Sequence, residues 1–261
     1  MLCKLCLKDK KLQRKSHIIP QFYYKEVKKD GGYYLKIDKY TYREYTKGKT
    51  STKHYTGEYD SNILCRKCDK DIIGQKYDDY ASKVLQVVNG ESKKFKSIKI
   101  ESYTNKNDIS GKLTKNIDYT KFKLFLLSVL WRASISKRPF FHEVKLGKKH
   151  EQILREMIYN GYPKEQEDYP CFICDIGEDE PLLKRTMLPP RKINEDGNIS
   201  YMFMICGLVY RFTISKYNRK NISLAGVIHP NNDMIIWRGP KNLGKICFSE
   251  YRKHILKKSQ L

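Results

Sequence analysis

The chain has 261 residues, of which 40% are hydrophobic and 31% charged, ordinary proportions for a protein that buries a core of its own. No apolar run approaches the roughly 18 residues needed for a bilayer crossing, which leaves no candidate membrane-spanning helix. The 52 basic residues against 29 acidic ones give a formal charge of +23, and such an excess favours a polyanionic partner, because each Lys or Arg beside a phosphate releases condensed counterions. Lys far outnumbers Arg, and Ile, Asn and Tyr are abundant, so AT-rich codon bias is a second source of the same charge.

The sequence enters a Cys-x-x-Cys pair at once, at Cys3 and Cys6, with no leader before it, so a cytoplasmic protein is expected. In that compartment paired cysteine spacings point to metal and not to disulfides. After a basic loop, residues 16–20 (Ser16-His17-Ile18-Ile19-Pro20) read as a short strand closed by proline, with a helical or extended start at Gln21–Lys25. Asp30-Gly31-Gly32 signals a turn, 33–40 alternates like a strand, and the polar, Tyr-rich 41–56 reads as a loop or hairpin. Cys65 and Cys68 form the second pair. A helix follows from Asp69 to about Val88, its apolar positions recurring at three and four residues, and Asn89-Gly90 closes it. Phe95–Tyr103 reads as a strand.

The strongest helical pattern runs from Tyr119 to Ser136, with Asp118 as N-cap and an apolar surface nearly all round, which predicts burial between layers. Within it, Trp131-Arg132 reads as core plus one polar edge. A further helix covers Lys149–Asn160 and stops at Gly161. Beyond Tyr162 prolines punctuate short β-branched runs, and 200–215, 222–228 and 234–237 read as strands of a small antiparallel sheet. Phe248–Lys258 reads as a basic helix.

Four thiolates from Cys3, Cys6, Cys65 and Cys68 suffice for one tetrahedral zinc, a structural ion that substitutes for a core the N-terminal segment cannot build alone. Cys171 and Cys174 have the same spacing but no matching pair, and Cys206 and Cys247 fall in apolar runs as core thiols. A lone histidine is most often a packed structural residue. His17, however, lies between the two knuckles, with Asp60 and Asp69 flanking the second one. A base for water and a carboxylate for a divalent cation are the minimal equipment for phosphodiester hydrolysis.

Taken together, Cys-x-x-Cys, then His17-Ile18-Ile19-Pro20, then Leu64-Cys65-Arg66-Lys67-Cys68-Asp69 resembles the HNH endonucleases. With Gly57-Glu58-Tyr59-Asp60 and Tyr77–Ala81 it is similar to a bacterial branch frequent in anti-phage defence loci. The resemblance covers residues 1 to 85 and extends less specifically to 130–134. It implies an α+β protein: an N-terminal zinc-bound ββα-metal domain (1–90), then a helical middle and a small C-terminal sheet (91–261) for support, substrate or partner binding. It implies that His17 is the general base, that Asp69 holds a catalytic Mg²⁺ or Mn²⁺, and that Asp60, with Asn62 as competitor, orients the base. The chain departs from the pattern at Ser16, where many members carry a carboxylate, leaving Glu58, Asp71 and Asp78 as further candidates for the ion. The implied partners are nucleic acid, DNA ahead of RNA, and a regulatory protein such as a defence-system ATPase or sensor. The competing reading is a catalytically inactive zinc module that binds nucleic acid or protein.

Overall fold

The computed structural model describes residues 1–24, 34–36, 53–54, 57–90, 95–177, 183–195, 197–214 and 224–240. The N-terminal stretch lays itself along the approach to the second knuckle. The Lys4 N–H donates to Ile63 O, the Asn62 N–H to Gln13 O and the Gln13 N–H to Leu64 O, at 2.8–2.9 Å. Strand β1 (Ser16–His17) then pairs antiparallel with β4 (Tyr59–Asp60), Ser16 opposite Asp60 and His17 opposite Tyr59. Gly57 is needed just before β4, because a Cβ there would lie 2.4 Å from the Tyr24 ring.

From the second knuckle the chain winds as a π-helical segment, Lys67–Asp78, and continues as the α-helix α1 (Asp79–Val88), which Gly90 ends at φ +74°. The predicted helix over 69–88 is therefore present, wider-wound in its first half. Helix α2 (Tyr119–Ile135) starts at Asp118, whose Oδ1 accepts the Lys121 N–H at 2.9 Å, as expected for the N-cap. Every residue from Phe122 to Ala133 is buried, and α2 packs against the π-helical segment, α1 and α3 (Gly147–Asn160). Gly161 ends α3 in the left-handed region that glycine adopts without strain.

The sheet departs from expectation. It is one nine-stranded mixed sheet, not a small antiparallel one, in the order β3-β2-β8-β9-β10-β7-β11-β6-β5. Its strands are β2 (Tyr34–Lys36), β3 (Lys53–His54), β5 (Lys99–Thr104), β6 (Ser110–Lys115), β7 (Cys171–Asp175), β8 (Thr186–Glu195), β9 (Asn198–Ile205), β10 (Leu208–Thr213) and β11 (Met234–Arg238). β2 joins β8, and β11 joins β7, in parallel; the other pairs are antiparallel. Strand β8 was hidden by Pro189-Pro190. Two residues without N–H groups ordinarily argue against an interior strand, but here they sit at a register irregularity between Leu188 and Arg191, where no ladder donor is required. The expected strand over 200–215 is a hairpin whose turn, Cys206-Gly207, has φ positive at both residues, as a two-residue turn matching strand twist demands. Cys206 is thus a turn residue whose partly buried thiol packs against the main core. Residues 224–228 form a turn instead of a strand. The expected turn at 30–32, the loop over 41–52, the helix over 248–258 and Cys247 lie outside the described residues.

Side chains alternate across the sheet. Tyr201, Phe203, Tyr210, Phe212, Ile173 and Ile236 belong to the main core with the helices, while Cys174, Met204, Val209 and Trp237 form a smaller cluster. That main core is continuous across position 90, joining Leu5, Ile18, Ile73 and Tyr77 to Phe125, Leu130 and Phe203. Tyr23 and Tyr210, both buried, share a hydroxyl–hydroxyl hydrogen bond between the N-terminal layer and the sheet. No helix among the described residues is long and apolar enough to cross a membrane. Residues 1–90 expressed alone leave half of this interface exposed. The fragment is expected to bind a hydrophobic dye and to melt without a cooperative transition by circular dichroism; a sharp transition would establish an independent domain.

Candidate active site and metal centre

The four knuckle cysteines converge. One sulfur from each of Cys3, Cys6, Cys65 and Cys68 lies within 4.8 Å of the others, with Cys6 and Cys65 sulfurs 4.0 Å apart. Tetrahedral zinc with Zn–S bonds of about 2.3 Å places its sulfurs about 3.8 Å apart, so the donor set fits that ion. The Cys65 N–H donates to Cys3 Sγ at 3.3 Å, as knuckle amides do to thiolates. The Cys3 thiol is held down to about 4, first by the hydrogen bond from the Cys68 thiol and then by backbone N–H groups, against the opposing effect of burial. The same contact, with burial, pushes Cys68 far up. Four sulfurs this close cannot all ionise without a cation among them. Cys171 and Cys174, by contrast, point to opposite faces of β7, one into each hydrophobic cluster, and form no pair.

The zinc-fitting cluster fixes the start of the π-helical segment, and Asp69 is the next residue, its N–H bonded to Cys65 O at 2.9 Å. An acidic side chain in that first turn also meets the positive end of the helix. Asp69 lines a cleft of about 350 Å³ together with His17, Gln21, Gln75, Asp78 and Arg132, among others. Its side chain is only 9% exposed, with Lys70 Nζ at 3.6 Å. Burial raises its pKa, opposed by Lys70, Ser16 and Arg132. Ser16 is fully buried, its hydroxyl beside this carboxylate but without a regular hydrogen-bond partner.

His17 is half-buried, with its ring 6.2 Å from Tyr24 and 6.3 Å from Tyr59. Burial, and after it the charges of Arg132, Lys70 and Lys15, lower its pKa to about 4. The imidazole is therefore neutral at neutral pH, with a nitrogen lone pair available. Asp60 and Asn62 do not line this cleft. The Asp60 carboxylate accepts from Ser136 and Lys137, and Asn62 is an exposed left-handed turn residue at φ +59°. Of the other carboxylates considered for the ion, Glu58 is buried against Arg138, Asp71 is exposed outside the cleft, and Asp78 is taken up by Arg132.

That last pairing is what the reading of the sequence missed. Arg132, 2% exposed, uses all five of its N–H groups. Nη1 reaches Asp78 Oδ2 and the His17 carbonyl, both at 3.0 Å; Nη2 reaches Asp78 Oδ1 at 2.9 Å and Ser128 Oγ at 3.2 Å; Nε reaches Ser128 O at 3.2 Å. Burial still outweighs the guanidinium and leaves the Asp78 pKa raised. The signal was in the sequence: a cation inside a helix apolar all round must find a carboxylate.

No protein-family model matches this chain, and neither a curated protein nor a solved structure matches it.

Purified protein should carry one zinc per chain by elemental analysis. Cys68→Ala should abolish it and forfeit about 2.7 kcal/mol or more at metal a hundredfold above its dissociation constant; a ratio well below one would count against the centre. Arg132→Met strands a buried carboxylate, at a cost of about 3–5 kcal/mol. Because Asp78 escapes that cost by taking up a proton, the loss should be larger at pH 8 than at pH 5 in urea unfolding. Adding Asp78→Leu should recover part of it at pH 8.

Proposed function

We propose that this protein is a metal-dependent endonuclease of the HNH type, hydrolysing phosphodiester bonds in nucleic acid, with DNA the favoured substrate and anti-phage defence its setting. The observation that carries the reading is that His17 and Asp69, far apart in sequence, line one polar cleft beside a four-cysteine centre. The order of parts supports it too: an antiparallel strand pair bearing the histidine, then a helix bearing the acid. The residues suit the task. A neutral imidazole accepts a proton from water, and a phosphate entering the cleft adds negative charge that strengthens this base. Asp69 is the side chain to hold Mg²⁺ or Mn²⁺, with water and substrate phosphate completing the shell as is usual for Mg²⁺. An ion bound there would offset charge on the phosphate and the leaving oxygen. Arg132 holds the backbone of the base through its carbonyl, and Lys15 and Lys70 add positive potential at the mouth.

A second reading, a zinc module that binds nucleic acid or protein without cutting, has its own observation. Among the described residues, the four cysteines are the only group of three or more His, Cys, Asp or Glu side chains close enough to share an ion. The two readings separate in one assay. Zinc-loaded protein is incubated with plasmid, single-stranded DNA and RNA in Mg²⁺, in Mn²⁺ or without added divalent ion, alone and with the products of neighbouring genes. Cleavage that needs the added ion, and that His17→Ala and Asp69→Asn each reduce by about 10² or more with binding and zinc content kept, is the expected result. A His17→Ala variant that cuts like the parent would remove the nuclease reading.

A further inference from the structure

Asp60 faces away from the cleft for a reason visible in its partners. Its Oδ2 accepts from Ser136 Oγ at 2.6 Å and from the Lys137 backbone N–H at 3.0 Å, while Ser136 Oγ accepts the Arg138 N–H at 3.1 Å. Ser136 is the residue that ends α2. The three residues leaving that helix are thus fastened to β4 by one carboxylate. Arg138 is held again farther out. Its Nε lies 3.3 Å from an oxygen of buried Glu58, and its guanidinium stands 5.9 Å from the centre of the Tyr59 ring. Lys15 Nζ stands over the same ring at 5.1 Å. Tyr59 is the strand partner of His17. Two cations from distant segments, Lys15 and Arg138, therefore stand against one aromatic ring beside His17, and the backbone of a third, Lys137, is fixed next to Arg138.

Surface lysines scattered over a basic protein need no explanation, but these are placed. The backbone of Lys137 is fixed, Arg138 is oriented by a buried acid, and the tyrosine ring offers both Arg138 and Lys15 an electron-rich surface. Lys15 and Lys137 are exposed, Arg138 is 41% exposed, and among the described residues neither lysine is ion-paired. Cations placed in this way suit contacts to backbone phosphates, which set position and register without reading sequence.

We propose that Lys15 and Arg138, held against Tyr59, form with the neighbouring Lys137 a phosphate track that leads a nucleic-acid strand into the His17–Asp69 cleft. This rests on the nuclease reading of that cleft. Asp60 then serves binding, by fastening the track.

The test compares two double variants of the full zinc-loaded chain, Lys15→Gln/Lys137→Gln and, with the same charge removed elsewhere on exposed positions, Lys106→Gln/Lys148→Gln. Binding of a fluorescein-labelled DNA strand and duplex is followed by anisotropy across a salt series without added Mg²⁺ or Mn²⁺, and plasmid cleavage is then measured with the ion. The track pair should weaken binding about tenfold and make the slope of log K against log salt shallower by about 1.4–1.8, two phosphate contacts' worth. It should raise KM more than it lowers kcat, while the other pair changes little. Equal weakening by both pairs, or none by the track pair, overturns the proposal even where the parent protein cuts DNA. Selective weakening by the track pair in a protein that never cuts upholds the track and removes the nuclease reading. A parent chain that binds no nucleic acid overturns both.

Discussion

A guanidinium removed from water is tolerable only when each of its donors is met, and Arg132 satisfies that condition through three separate parts of the chain. Two acceptors come from its own helix, two from Asp78 at the end of the π-helical segment, and one from the backbone of His17. None of these elements can shift alone without stranding a donor in the interior. The histidine's place is therefore set by a helix from the other half of the protein, and the helix in turn is fixed by the core that surrounds it on all sides.

The four-cysteine centre acts on the same frame from the opposite end. It fastens the first turn of the π-helical segment to the N-terminal strand of chain, whereas Arg132 fastens its last turn to β1. Asp69 and His17 lie between these two fixings. The division of charge follows from it. Asp78 is taken up by an internal partner, which leaves Asp69 and Asp79 as the other carboxylates of the cleft, and Asp69 is the one whose burial is opposed by Lys70, Ser16 and Arg132.

Much of this was readable beforehand, and the parts that were not share a cause. Local signals performed well: the knuckle spacing, the Asp118 cap, the Gly161 stop and the periodicity of α2 each depend on neighbours a few positions away. The sheet was misjudged because its make-up depends on partners remote in sequence. Ser110–Lys115, where no strand was expected, is one because β5 and β11 lie on either side of it. Pro189-Pro190 looked like a break and is a bulge inside a strand. At the site, residue type suggested roles for His17, Asp69 and Asp60 alike, but side-chain direction separates them, since Ser16 and Asp60 sit opposite one another while Asp60 turns its carboxylate to α2.

The pairing of β1 with β4 carries a consequence for the order in which the molecule is built. Between those two short strands the chain leaves for the large sheet, where β2 lies beside β8, and then returns. Cys6 and Cys65 are 59 positions apart and Arg132 and His17 are 115 apart, so each contact that shapes the cleft closes a long loop. Such contacts are entropically costly to form early, and they follow helices and hairpins whose contacts are local. The cleft is thus among the last features to be completed as the chain folds. A nascent or damaged chain would hold the histidine and the aspartate without bringing them together, so the cleft exists only in the finished fold.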